Sequence, residues 1–234
     1  MSTSDPARAR PKSERVAERV AKRGAERLID RVFAKRLVIV NGLVPLALLG
    51  WDAYRGELGV NQVNFAIRTT GMVGLVLLVL TLAITPLRRL TGWTTLNAVR
   101  RNLGVLAFVY LAVHFVIFFA FDRAGSLTDT LSEIAQRVYL WFGALALIAM
   151  IPLAITSTDG MTRRLGGARW KRLHWLTYPI AACAITHYYL LVKSDTRLPI
   201  AFAITVGVLL GERAIRAWKT AHGGPARHKS ASKN

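Results

Sequence analysis

The sequence predicts an all-α, polytopic membrane protein: a bundle of six transmembrane helices with both termini on the cytoplasmic side. Three observations carry this reading. The 234 residues are 53% hydrophobic and yet carry a formal net charge of +19. The apolar residues gather in runs of about 18–21, the length that crosses the hydrocarbon core of a bilayer. The charges lie between those runs and at both ends, and basic-rich loops alternate with loops that are not, the turn Lys193–Leu198, with two basic residues against one acid, fitting least well. Three parts follow: a basic cytoplasmic arm (1–36), a transmembrane domain (37–215) and a basic cytoplasmic tail (216–234).

No apolar h-region follows the first basic residues, so residues 1–35 do not read as a signal peptide. The first dozen residues read as disordered. From Ser13 the arm reads as a charged amphipathic helix, with Val16, Val20, Leu28 and Val32 on one face. Such a helix can lie on anionic lipid; the plainer reading is a mobile, solvated arm. The first span covers about Leu37–Trp51, with Pro45 as a candidate kink. The second covers about Asn64–Thr85 and ends at Pro86. The third, about Asn102–Phe121, carries His114. The loop Asp122–Arg137 has room for a short surface helix, and the fourth span is about Val138–Thr156. The fifth is about Leu173–Val192 and the sixth about Pro199–Ile215. No internal repeat is evident in the sequence.

Loops two and four, the arm and the tail are rich in Arg and Lys, whereas loops one and three are not. The positive-inside rule therefore sets the topology. High basicity is also a mark of nucleic-acid binding. Here the basic segments flank membrane spans, so anionic lipid head groups are the expected partner and nucleic acid is not. Cys183 is the single cysteine, which excludes an intramolecular disulfide and a thiolate-held cluster within one chain.

Histidines are the conspicuous residues inside the spans. An intramembrane ionisable side chain is a functional hypothesis by default. His114 lies about 18 Å into span three and His187 about 21 Å into span five at the usual helical rise. Matched depths on two helices suit one iron gripped from opposite sides, as in a b-type haem. The plainer alternative is a histidine hydrogen-bonded across helices. His174 sits at the membrane edge, where histidine is ordinary. It also lies about 140° around an ideal helix from His187. Either Pro179 changes the phase, or His174 belongs to the helix entry. Arg68, early in span two, either snorkels to the interface or pairs with a haem propionate.

Four segments carry a resemblance to a known family: TPLRRLTGW from Thr85, RRNLGVLAFVYLAVHF from Arg100, TSTDGMTRRLGGARWKRLHW from Thr156 and THYYLLVKSD from Thr186. The chain resembles the haem-binding membrane subunits of bacterial periplasmic methionine sulfoxide reductase systems, within the ferric-reductase-like transmembrane superfamily. The resemblance implies a six-helix b-type cytochrome of the inner membrane, with haem b held by His114 and His187. It also implies an FMN. Two-haem relatives carry a second histidine in span three, where this chain has Arg100. His174 is then a single ligand of a second haem or part of a flavin or quinone site, with Arg100, Arg101, Trp170, Lys171 and Arg172 as its nearest basic and aromatic candidates.

The implied role is electron transfer from the quinone pool or a cytoplasmic flavin reductase to a periplasmic molybdopterin-dependent methionine sulfoxide reductase that repairs oxidised proteins. The sequence offers no nucleotide fingerprint and no thiolate motif, so catalysis is expected on that partner chain. The rival readings are a stand-alone transmembrane ferric or metal reductase and, in a different class, a non-haem transporter or membrane scaffold.

Overall fold

The computed structural model describes residues 12–93 and 95–222, and among them the only regular secondary structure is helical. Helix α1 runs unbroken over Lys12–Arg55. The arm and the first expected span are thus one continuous helix, and Pro45 lies inside it without interrupting it. The expected disorder of the first residues, the expected apolar face of Val16, Val20 and Leu28, and the far end of the tail lie outside what is described. Tyr110 of the third helix ties α1 to the bundle, its hydroxyl donating to the Gly42 carbonyl at 2.7 Å.

Helix α2 covers Gln62–Thr91. The Asn61 side chain caps its start by accepting from the Asn64 N–H. Its end is a left-handed glycine, Gly92 at φ +73°, whose N–H donates to the Arg88 carbonyl. The sequence placed the end of this span at Pro86, yet the helix continues past it. Proline has no N–H, so the Leu82 carbonyl one turn earlier loses its helical partner. Arg213 of the last helix supplies a replacement, donating from Nη2 to that oxygen at 2.7 Å.

Helix α3 covers Leu96–Ile117 and continues through a π-helical turn, Phe118–Asp122. The surface helix expected in the next loop is α4, Leu127–Gln136, and α5 follows as Val138–Ile155. Two short helices, α6 (Asp159–Leu165) and α7 (Gly167–Leu173), occupy the basic loop. A 3-10 turn, His174–Leu176, then leads into α8, Thr177–Leu191, and α9 covers Arg197–His222.

Among the described residues, five helical stretches are long and apolar enough to cross a membrane: Ile29–Arg55, Gln62–Thr91, Leu96–Asp122, Val138–Ile155 and Arg197–Thr220. Only 6% to 50% of each apolar window is buried inside the protein. Apolar side chains such as Ile148, Ile204 and Val208 stay more than 60% exposed at mid-helix. That outward apolar belt is the pattern of a multi-pass membrane protein, whose outer solvent is lipid. The fifth expected span is different. Its regular part, α8, has 15 residues, about 22 Å at the usual rise, against a hydrocarbon core of about 30 Å.

The core lies along the α2–α3 interface and extends to α8, with Leu78, Leu82, Leu106, Ala107, Tyr110, Ile180 and Ala181 almost fully buried. α2 and α3 are antiparallel: the Ile67 carbonyl meets His114, and Thr81 lies beside Gly104. α5 and the segment running from α7 through α8 are antiparallel in the same sense, since Tyr139 meets His187 of α8 at one end and Thr156 meets Trp170 of α7 at the other.

Candidate functional site: two histidines pinned across helices

His114 stands at the end of α3 and His187 near the end of α8. Their ring centroids are 6.3 Å apart and their planes are nearly perpendicular, at 87°. Each ring is held through Nδ1 by a carbonyl of a different helix. His114 lies 2.8 Å from the Ile67 oxygen of α2, and His187 lies 2.7 Å from the Tyr139 oxygen of α5. A carbonyl can only accept, so both Nδ1 atoms carry the proton and donate. In the neutral ring, Nε2 is left with a free lone pair. This is the arrangement a metal-binding histidine ordinarily has, with the second nitrogen fixed by a backbone oxygen.

The separation also suits a shared metal. A ring nitrogen lies about 1.1 Å from its own centroid and binds a first-row metal at about 2.0–2.1 Å, so two imidazoles on opposite sides of one ion have centroids about 6–6.5 Å apart. Among the described residues, no cluster of three or more His, Cys, Asp or Glu forms around a potential metal ion. The pair can therefore supply two protein ligands, and a macrocycle that brings its own four nitrogens matches that donor set.

Two glycines complete the site, and nothing in the sequence singled them out. A Cβ at Gly71 would lie 3.0 Å from Nδ1 of His114, and one at Gly143 would lie 2.9 Å from Nδ1 of His187. Gly71 follows Ile67 by four positions and Gly143 follows Tyr139 by four, so each carbonyl and its glycine share one helix face. The available signal was a glycine one turn after the residue whose carbonyl is used. Without the pairing of helices it looks like any small residue in a span.

The other candidates are distributed differently. His174 begins the 3-10 turn, so it belongs to the helix entry, and the phase difference from His187 follows from that break. Its Nδ1 donates to the carbonyl of Trp170 at 3.0 Å, within its own segment, and its ring stacks on Trp170 at 3.8 Å. Trp170 is fixed in turn by donating from Nε1 to the Thr156 carbonyl. Arg100 and Arg101 are within electrostatic reach of His174. Arg101 forms an ion pair with Asp159, which holds that carboxyl below the usual carboxylate range. The pair borders a cleft of about 490 Å³ lined also by Lys35, Asn97, Asn102 and Thr158. Arg100 has Arg213 and the Tyr178 phenol as its electrostatic neighbours. Lys171 and Arg172 are exposed. Arg68 is exposed on α2, directly after Ile67 and within electrostatic reach of Tyr188.

Comparison with known proteins is informative here. Residues 70–185 match the family described as "Ferric reductase like transmembrane component". A relative from Herminiimonas arsenicoxydans is 42% identical over 187 residues, covering 79% of this chain and 86% of its own length. It is named the protein-methionine-sulfoxide reductase heme-binding subunit MsrQ. This chain belongs to the MsrQ family. Relatives of the same name from Xanthomonas oryzae pv. oryzae (strain MAFF 311018) and Rhodospirillum rubrum are 43% and 40% identical. The first match covers 80% of this chain and 87% of the relative, the second 81% and 91%. No solved structure matches the chain. The stretch shared with the ferric-reductase-like family contains His114 and ends two residues before His187.

Proposed function

We propose that this protein is the b-type cytochrome subunit of a methionine sulfoxide reductase system and carries electrons across the bacterial inner membrane. The observation that carries the reading is the His114–His187 pair, with its 6.3 Å separation and with each Nδ1 committed to a carbonyl. The names of the relatives support haem as the group between them. A bound haem supplies a reversible one-electron carrier.

The protein's own contribution is position, proton placement and insulation. Ile67 and Tyr139 keep a proton on each Nδ1, which leaves each Nε2 as the ligand atom. The apolar bundle keeps the pair out of water. Arg68 stands beside the Ile67 carbonyl as a partner for a propionate on that side. In this reading the chain crosses the membrane six times, with Leu173, the 3-10 turn and α8 together making the fifth crossing, and both termini face the cytoplasm. The donor, a quinone or a cytoplasmic flavin reductase, acts at the His174 end. There the cleft bordered by Arg101 and Asp159 and the basic residues Lys171 and Arg172 offer a positively charged approach. FMN belongs at that end, beside Trp170, His174, Arg100 and Arg101. The acceptor is a periplasmic molybdopterin-dependent reductase.

The test is a reduced-minus-oxidised optical spectrum of the purified protein, with haem and flavin quantified per chain. The expected result is a b-type signal with about one haem per chain, as a single two-histidine site requires. It should disappear in His114→Ala and in His187→Ala. No haem from cells able to make it would overturn the reading and return the transporter or scaffold to the front. Turnover with iron chelates in the absence of any partner would favour the stand-alone metal reductase.

A further inference from the structure

The two halves of the site are built alike. In each, a helix offers a carbonyl and, one turn later, a glycine: Ile67 and Gly71 on α2, Tyr139 and Gly143 on α5. In each, the antiparallel neighbour lays a histidine ring over both. The three heavy atoms nearest a Cβ at Gly71 are all imidazole atoms of His114, and at Gly143 they are all imidazole atoms of His187. Small residues in membrane helices ordinarily let two backbones approach. Here what approaches is the ring.

We propose that Gly71 and Gly143 are positioning residues: paired seats that hold the two ligand imidazoles with their planes crossed. The inference rests on the haem reading and adds to it a determinant of ligand orientation. A methyl group at either position would meet Nδ1 at 3.0 or 2.9 Å and Cε1 at 3.1 Å, closer than ordinary van der Waals contact. The ring is not free to retreat, because the same Nδ1 is tethered to the carbonyl at 2.8 or 2.7 Å. It must tilt or turn about its bond to the backbone, which lengthens the N–H···O bond and changes the plane. The loss reaches the iron through the ring, since the carbonyl bond both orients a ligating imidazole and raises its basicity.

The experiment is electron paramagnetic resonance of the oxidised, haem-loaded protein, in wild type, Gly71→Ala, Gly143→Ala and Gly50→Ala. Gly50 has open space around its Cβ position and serves as the control. Crossed imidazole planes give a strongly anisotropic low-spin signal with a large maximum g value; planes closer to parallel give an ordinary rhombic one. The wild type and Gly50→Ala are expected to show the anisotropic signal. Gly71→Ala and Gly143→Ala are expected to shift toward the rhombic form and to retain haem about 10- to 100-fold less tightly, the usual consequence of disturbing such a hydrogen bond.

Wild-type spectra and haem retention in both seat variants would overturn the proposal while leaving the haem reading intact. A rhombic signal in the wild type would also overturn it, whether or not the alanine variants fold. Wild-type protein without haem would overturn the haem reading itself.

Discussion

At both ends of the bundle a histidine donates from Nδ1 to a backbone carbonyl, but the two ends differ in where that carbonyl comes from. His114 and His187 reach across to α2 and α5. His174 bonds Trp170, four residues earlier in its own segment. A bond across helices fixes a ring relative to the bundle, so its position is a property of the whole fold. A bond within a segment fixes the ring only relative to that segment and travels with it. The first end has two such rings facing one another across 6.3 Å. At the second, one ring is stacked on Trp170 with Arg100 and Arg101 nearby, and a guanidinium cannot ligate iron because it stays protonated. One end sets two rings across a gap between helices, the geometry on which the proposed haem site rests, while the other is a basic surface on a short helical break.

The comparison can be broken most severely at the cross-helix pair. Loss of either His114 or His187 should remove the haem signal entirely, which the optical spectrum reads. His174→Ala sharpens the contrast: haem content should stay near the wild-type value, while the rate of reduction by a quinol or a reduced flavin falls. Loss of haem in that variant, equal to the loss in His187→Ala, would erase the distinction between the ends. A smaller effect is expected from Tyr110→Phe, one turn before His114 on α3. It removes the hydroxyl that donates to the Gly42 carbonyl, worth about 0.5–1.5 kcal/mol. Thermal unfolding should show that loss with the haem spectrum unchanged, because α1 holds no ligand.

The smallest effect belongs to the exposed pair at the entrance. Arg101 holds the Asp159 carboxyl below its ordinary range. Its stabilising contribution is therefore present above the unfolded-state value and lost as pH falls through the lower folded-state value. Asp159→Asn should flatten the acid side of the stability profile and leave the neutral region nearly unchanged, as thermal melts across a pH series would show.

Much of this was legible in the chain because membrane physics writes directly into sequence. Apolar runs long enough to cross lipid mark helices, and His114 and His187 stand out in such runs because a polar side chain in lipid is costly. The details that depend on partners were not legible. Pro86 reads as a helix end, since nothing in sequence announces that Arg213, 127 positions later, will take up the carbonyl it orphans. The expected fifth span reads as one apolar helix, yet it breaks at His174–Leu176, where the Thr177 hydroxyl donates to the His174 carbonyl and Pro179 sits in the first turn of the new helix. Proline is tolerated there because first-turn N–H groups have no helical partner.

The sequence by itself determined the class of molecule and singled out the histidines within its spans, because hydropathy, charge placement and the cost of an ionisable group in lipid are local properties. Only the tertiary structure decided how those histidines are held. The ring spacing, the crossed planes and the two glycine seats each require atoms from two antiparallel helices. Such a pairing is settled by packing and not by any one segment.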